Sequence, residues 1–452
     1  MTEETEGVRT LLGNPRKALV AMAIPIAIAS IVQSTNNIID AVWVAGLGTG
    51  ALAATGVLFP YFFILLGIGN GIGVGASQAI ARRIGARDPR YNDVASQAFM
   101  MALVSGLVLS ILFIIILRPL LAATGAGDYL TECVDYGAPL LGFGVITVFC
   151  SMFGGILRAE GAAKRAMLLQ VLGAGLNLVL DPIFIYVLDL GVAGAAWATV
   201  ISMGISLVPA FHWYFIRKDT FVRIPLRGFR FDREVDIDIL KVGIPASLEM
   251  ILISLCAMGT NIVILMVDPA DGIAVFTTGW RILDLLMIPA MSIGFAVVPI
   301  CAAAYGAREI GKMHDTYFYA CRTSLLVCLA LTAITFLCAP YFVAIFTYGE
   351  GSSHLAGAMT DFLRICCLML PVTGLGFPST SLFQSLGMGL HSLFASLLMN
   401  LTRLPLCYVA AIVFGTMTSL TYGILFSEYI GSATIFVWGV VIARRMLREH
   451  HA

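Results

Sequence analysis

Charged residues are scarce in this chain, and neither sign is in excess. Only 12% of its 452 residues are Asp, Glu, Lys or Arg, which is about half the share typical of a soluble domain. The 27 basic and 27 acidic residues cancel, so the net charge gives no electrostatic reason to bind nucleic acid or an acidic partner. This composition excludes an ordinary soluble protein and argues against a nucleic-acid-binding one.

The signatures of metal and hydrolase chemistry are also missing. The ten cysteines are scattered and form no Cys-x-x-Cys pair, so the sequence indicates neither a zinc site nor a disulfide framework. An intramembrane enzyme would need a constellation such as His-Glu-x-x-His or Gly-x-Ser-x-Gly, and neither occurs. We therefore expect a protein that is not an enzyme and carries no cofactor.

Long apolar segments are what the chain does contain. Hydrophobic residues make up 59% of it, and the mean hydropathy is +0.93. Segments of about 20 residues or more, enough to cross a bilayer, recur along the whole length. The pattern predicts an all-α integral membrane protein with twelve transmembrane helices, near residues 17–43, 52–82, 94–117, 129–157, 163–187, 191–216, 237–266, 272–303, 316–346, 356–387, 391–413 and 417–443.

Basic residues follow alternate segments and so predict the orientation. Four arginines lie in 82–90 and six basic residues in 217–233, whereas 44–51, 188–190 and 414–416 contain no Lys or Arg. Lysine and arginine are retained on the cytoplasmic side. We expect both termini in the cytoplasm and a multi-pass protein of the cytoplasmic (inner) membrane, in agreement with an even number of spans.

The sequence is also duplicated. Ile24-Pro25 begins the first apolar segment and Ile244-Pro245 the seventh, while Gly-Ala-Arg follows the second segment (85–87) and the eighth (306–308). Six spans per half make both halves enter from the same side, which predicts a parallel repeat about an axis near the membrane normal. We expect an N-terminal six-helix lobe (1–216), a basic cytoplasmic linker (217–236) and a C-terminal six-helix lobe (237–452).

Two carboxylates lie within membrane-length segments. Asp40 ends the apolar run 25–40, and Asp181 lies within 168–186. An ionised carboxylate at that depth costs roughly 2.5–3.5 kcal/mol on insertion scales, so such groups generally bind an ion or proton, or line a polar path. The alternatives are that Asp40 caps the outer end of its helix and that Asp181 makes a structural hydrogen bond to a neighbouring helix.

Polar residues at helical spacing accompany both carboxylates. Asn177 precedes Asp181 by four residues, so both share one helix face. Gln33, with either Asn36 or Asn37, forms a polar stripe with Asp40 on the first segment and is expected to line a cavity. Hard cations prefer such oxygen ligands.

The stretch 157–202 carries the pattern of a known family. It contains Arg-x-x-Gly, then Asn-x-x-x-Asp-Pro, then Gly-x-x-Gly-x-Ala-x-Ala-Thr. This resembles the multidrug and toxic compound extrusion (MATE) transporters, in particular the branch named for DNA-damage-inducible protein F, archaeal members included. The resemblance implies export of small organic, often cationic or amphipathic compounds, driven by entry of Na⁺ or H⁺, by a monomer surrounded by membrane lipids.

The resemblance also implies a coupling site for the cation. The family's acidic position in the first segment matches Asp40, its Asn and Asp in the fifth match Asn177 and Asp181, and its threonine in the sixth matches Thr199. These four residues are the expected ligands of H⁺ or Na⁺. The alternative function is a lipid-linked precursor flippase or polysaccharide exporter of the same superfamily.

Pro25 lies inside the first segment and removes one backbone hydrogen bond there. It is therefore the expected hinge of that helix.

The second half departs from the first. Thr260 or Asn261 falls in the slot of Asp40, and Arg403 falls roughly in that of Asn177. The acids of this half are expected to be paired structurally, since a paired charge is cheaper within a membrane. We expect Arg281 to pair with Asp284, and Arg403 with Glu249 or Glu428.

Overall fold

The computed structural model describes residues 4–123, 127–347 and 353–451, and all regular secondary structure in those ranges is helical. Fifteen α-helices are numbered here in chain order. They are α1 (Glu6–Leu12), α2 (Pro15–Ala45), α3 (Thr49–Gly85), α4 (Tyr91–Ala123), α5 (Leu130–Gly142), α6 (Gly144–Ala159), α7 (Ala163–Pro182), α8 (Gly191–Phe211), α9 (Arg233–Val267), α10 (Gly272–Gly306), α11 (Ile310–Phe346), α12 (Ala356–Cys366), α13 (Leu370–Ser385), α14 (Gly389–Phe414) and α15 (Met417–His451).

The helices account for the predicted membrane spans. In the described ranges eleven helical segments are long and apolar enough to cross a bilayer, and the bent pair α5 and α6 brings the number to twelve. That pair meets at 45° around Phe143, between Gly142 and Gly144. The prediction of an all-α, multi-pass membrane protein is confirmed.

The duplication is visible in the backbone. Arg87 and Arg308, at the same position of the two Gly-Ala-Arg turns, both adopt a left-handed conformation with φ of 55° and 60°. Gly161 and Gly387, which end the turns before α7 and α14, both have φ of 75°. Matching turns at matching places make α2–α8 and α9–α15 two copies of one six-span unit.

The two copies touch at the end of the molecule that carries the helix connections 86–90, 160–162 and 307–309, called here the terminal face. A Cβ on Gly85 would overlap the carbonyl oxygen of Ala303, and one on Gly306 would overlap that of Arg82. Because only glycine permits this approach, α3 and α10 meet there backbone to backbone.

A cluster of charged side chains joins α3 and α9 at the same face. The Asp238 carboxylate accepts hydrogen bonds from Arg82 and Arg83 of α3, the latter at 2.8 Å, and pairs with Lys241 at 2.7 Å. Towards the opposite face α3 packs on α5 instead, with Leu58 against Gly137.

Candidate functional site

A cavity of about 410 Å³ lies inside the first six-span unit. This is within the usual range for small-molecule sites. It is lined by α2, α3, α5, α6, α7 and α8, and Phe295 of α10 is the one described lining residue from the second unit. The cavity is therefore built almost wholly from the first half of the chain.

A chain of buried amides connects α2 to α7 at the wall of this cavity. The Asn36 amide donates to Oδ1 of Asn177 at 2.7 Å, and the Asn177 amide donates to Oδ1 of Asp181 at 2.7 Å. Asp181 is fully buried, and both asparagines are at most 7% exposed. Helical spacing places Asn177 and Asp181 on one face of α7, and that face turns towards α2.

Asp40 and Asp181 approach each other across this contact, side chain to side chain. Asp40 Oδ1, Asp181 Oδ2 and Asn36 Oδ1 are buried and lack a hydrogen-bond donor. Neither carboxylate takes part in any of the ion pairs that the structure describes with Lys, Arg or His. The site therefore presents several buried oxygens without a donor, and a proton or a cation would compensate them, because buried charge without a partner is costly.

The remaining expected residues line the same cavity. Gln33 donates to Oδ1 of Asn37 at 3.0 Å, so of the two asparagines left open by the sequence it is Asn36 that joins the buried chain. Thr199 donates its hydroxyl to the carbonyl of Ala195, one turn back on α8, at 3.0 Å.

The donor set suits a hard cation or a proton. The groups that converge are carboxylate, amide and hydroxyl oxygens, which fit Na⁺ better than a soft metal. Within the described residues no three His, Cys, Asp or Glu side chains come together as a metal cluster. Asp40, Asn36 and Asp181, with their buried unpartnered oxygens, are the residues that would hold the ion.

Tyr136 and Arg158 are among the lining residues that the sequence analysis did not single out as cavity residues. Tyr136 of α5 lies near both carboxylates and lines the cavity. Arg158, which entered above only as the arginine of the Arg-x-x-Gly pattern, also lines the cavity. The position of Arg158 directly after the end of an apolar segment was the available signal, because a helical side chain there points back into the membrane.

Pro25 is buried within α2, which continues through it from Pro15 to Ala45, and Ile26 beside it lines the cavity. A hinge role for Pro25 stays a prediction, because one conformation contains no record of movement.

The second unit contains a buried ion pair, whereas the two facing carboxylates of the first unit have no basic partner in the described ion pairs. Arg403 of α14 pairs with Glu428 of α15, and its guanidinium lies over the Trp280 ring at 5.5 Å. Of the two acids expected for Arg403 it is therefore Glu428 that pairs; Glu249 accepts instead from Ser392 at 2.5 Å.

The expected pair of Arg281 with Asp284 is wrong. The Asp284 side chain interacts with Trp280, four residues earlier on α10. Asp284 thus interacts with the residue four positions earlier, whereas it was expected to pair with Arg281, three positions earlier.

Comparison with known proteins gives consistent matches over the whole length. The sequence profile of the MatE family matches residues 25–183 and 245–409, once in each half. The chain is 25% identical over 418 residues to "Multidrug export protein MepA" of Staphylococcus aureus (strain NCTC 8325 / PS 47), covering 91% of this chain and 90% of that protein.

Solved structures agree more closely. A MATE crystallised in complex with MaL6 is 36% identical with a TM-score of 0.96, over 98% of this chain and 100% of that one. A MOP superfamily transporter from Pyrococcus furiosus, described as having a binding pocket of reverse polarity that suggests a different function, is 37% identical with a TM-score of 0.94, over 98% and 99% of the two chains.

Proposed function

This chain belongs to the MatE family, whose members are transporters and not enzymes, and on that premise we propose that it is a multidrug efflux antiporter. It exports small organic compounds, often cationic or amphipathic, in exchange for H⁺ or Na⁺ that enters the cell. The name of the staphylococcal relatives, multidrug export protein, supports the direction and the substrate class.

The observation that carries the coupling proposal is the pair of facing carboxylates. Two carboxylates close together in a low dielectric cannot both remain ionised cheaply, and a proton or Na⁺ relieves the repulsion. Asp40, Asn177, Asp181 and Thr199 form the coupling site, with Asn36 added by its buried hydrogen bond. Gln33 and Asn37 line the path to it.

Exchange then follows from the contact of α2 with α7. Loading of the cation changes how α2 packs, α2 bends at Pro25, and the cavity shrinks and expels its substrate. The ion drives this step only to the extent that it binds the two conformations with different affinity. No cofactor takes part.

The arrangement in the cell follows from the basic loops. The terminal face lies in the cytoplasm, because Lys and Arg are retained on that side. Both termini are cytoplasmic as well. The basic linker 217–236 joins the six-span lobes 1–216 and 237–452 on the same side. The protein acts as a monomer among the lipids of the cytoplasmic membrane. A lipid-linked precursor flippase is the alternative, and the cavity of about 410 Å³ is small for such a cargo.

The test is uptake of a fluorescent cationic dye into inverted membrane vesicles, with a proton gradient and a sodium gradient imposed separately. We expect uptake with at least one gradient, and collapse of that gradient by the dye. Vesicles without the protein serve as the control. Absence of uptake under both gradients, from a protein shown to be folded, contradicts the proposal.

A further inference from the structure

The cavity has charge of both signs. Among its described lining residues the only ionic side chains are the Asp40 carboxylate and the Arg158 guanidinium. Asp40 approaches Asp181 in the last turn of α7, whereas Arg158 is next to the last residue of α6, just before the connection 160–162 that leads into α7 at Ala163. Eighteen residues separate Ala163 from Asp181, or about 27 Å of α7 at 1.5 Å per residue. The two charges therefore lie too far apart to neutralise each other.

The local structure directs Arg158 into the cavity. A helical side chain points towards the N-terminus of its helix, here away from the terminal face. Arg158 Nη1 lies 3.2 Å from where a Cβ of Gly154 would be, so the missing side chain of Gly154 makes room for the guanidinium. The guanidinium packs over Phe295 of the second unit, 5.8 Å from the ring centroid.

Arg158, which is partly buried, differs from the buried arginines Arg83 and Arg403 in its lack of an acid. Arg403 pairs with Glu428, and Arg83 pairs with Asp238. In the described part of the chain no carboxylate lies within ion-pair distance of Arg158, and its guanidinium packs over the Phe295 ring. A guanidinium at this depth without a counterion is costly, and its donors are free for an anion from the cavity.

We infer that Arg158 forms an anion-binding subsite, so that the preferred substrates are amphipathic zwitterions. A carboxylate or similar oxyanion of the substrate binds Arg158, its cationic group lies towards Asp40, and its apolar body lies against Phe62, Leu66 and Leu169. Arginine suits this role because its planar fork of donors matches a carboxylate. The inference rests on the proposed function and refines its substrate class.

Two fluorescent dyes that differ by one methyl ester provide the test. Rhodamine 110 carries a free carboxylate and is zwitterionic, whereas rhodamine 123 is its methyl ester and a cation. Binding of each is measured by fluorescence anisotropy in dodecyl maltoside, which has no phosphate, so the dye is the sole source of the anionic group. The proteins compared are the native chain, Arg158→Met, Arg158→Lys and, as a matched control, Arg322→Met, which removes an exposed arginine of α11.

We expect Arg158→Met to weaken rhodamine 110 binding by about tenfold or more, the range of a lost charge-assisted contact, and to change rhodamine 123 binding by less than about twofold. Arg158→Lys restores part of the loss, and Arg322→Met changes neither dye. If Arg158→Met does not fold, Gly154→Val, which crowds the guanidinium without removing it, is expected to give the same selective loss.

Equal weakening of both dyes, no weakening, or no binding of rhodamine 110 by the native protein overturns the subsite. Failure of the proposed function has a different signature. The native protein would then bind the dyes selectively but transport neither under an imposed gradient.

Discussion

The side-chain amide of Asn177 donates a 2.7 Å hydrogen bond to Oδ1 of Asp181, one turn further along α7. This bond fixes the Asp181 carboxylate and leaves its Oδ2 buried without a donor, on the side of Asp40. The same asparagine accepts a hydrogen bond from Asn36 of α2. A change in the charge state of the carboxylates is thereby connected, through one amide, to the packing of α2.

Replacing Asp181 by Asn tests the coupling role directly. Asn has nearly the same shape but cannot take up a proton or balance Na⁺, so we expect Asp181→Asn, and likewise Asp40→Asn, to abolish gradient-driven efflux. Folding and membrane insertion should be kept, because no buried charge remains to be neutralised. Dye uptake in vesicles and thermal unfolding of the purified proteins measure the two effects.

Asp315→Asn is the matched control for both substitutions, because Asp315 lies exposed on α11 with 77% of its side chain accessible. Its uptake should equal that of the native protein. Normal uptake by both Asp40→Asn and Asp181→Asn would exclude these carboxylates from coupling.

The periodicity of the sequence predicted the membrane spans well, but it predicted the polar contacts of the second unit less well. Long apolar segments with basic loops between them specify spans, and the two Gly-Ala-Arg turns revealed the duplication that Arg87 and Arg308 show in their backbones. Spacing within one helix placed Asn177 beside Asp181. Contacts between helices have no such periodicity, which is why the choice of Asn36 over Asn37 and of Glu428 over Glu249 needed the structure.

The position of Arg158 in the cavity was likewise not predicted from the sequence. The predicted span 129–157 leaves it outside the membrane, because a span boundary ignores the direction in which a side chain points. The structure shows that it reaches about one helical turn back into the cavity, since its Nη1 lies beside Gly154.

Pro25→Ala tests whether α2 bends during transport. The substitution restores the backbone hydrogen bond to residue 21 that proline cannot make, so we expect α2 to lose its hinge. Spin labels at the exposed positions Val42 on α2 and Val179 on α7 report the distance between the helices. In the native protein that distance should respond to pH between about 4 and 9 or to sodium, and in Pro25→Ala the response should be lost.

Pro60→Ala, in the middle of α3, is the control for removing a proline from a membrane helix. It should leave the response of α2 intact. A native distance distribution that ignores both cations would refute bending of α2 as the coupling route, even in a working exporter.

The Arg403–Glu428 pair predicts a sharp difference between single and double replacement. Both side chains are at most 8% exposed, so Arg403→Ala leaves an unpaired buried carboxylate and should lower the free energy of unfolding by about 3–5 kcal/mol. Arg403→Met combined with Glu428→Leu removes both charges and should remain close to the native stability. The exposed Arg445–Glu449 pair is the control; its loss should leave the free energy of unfolding almost unchanged. Equal losses in the single and double variants would contradict this account.

Glu160 predicts how stability depends on pH. It lies in the turn between α6 and α7, is 2% exposed, and accepts a 2.9 Å hydrogen bond from the backbone N–H of Val222. Burial raises the pKa of its carboxyl from 4.5 to about 7, against the opposing effect of that hydrogen bond. The folded protein thus holds this proton more tightly than the unfolded chain. The stabilising contribution is complete below about pH 4.5 and is lost as the pH rises through about 7, by up to about 3 kcal/mol.

Glu160→Gln removes this titration and keeps an oxygen that can accept from Val222. We expect the native protein to lose stability between pH 5 and pH 8, and Glu160→Gln to lose markedly less over the same interval, as measured by unfolding of the purified protein in detergent. Glu309→Gln is the control, since Glu309 also lies in a short connection between two helices, before α11, and 54% of its side chain is exposed. It should retain the native pH dependence. An unchanged pH dependence in Glu160→Gln would mean that the proton released on unfolding belongs to another group, and Glu160 would then be ionised and stabilised by Val222 throughout.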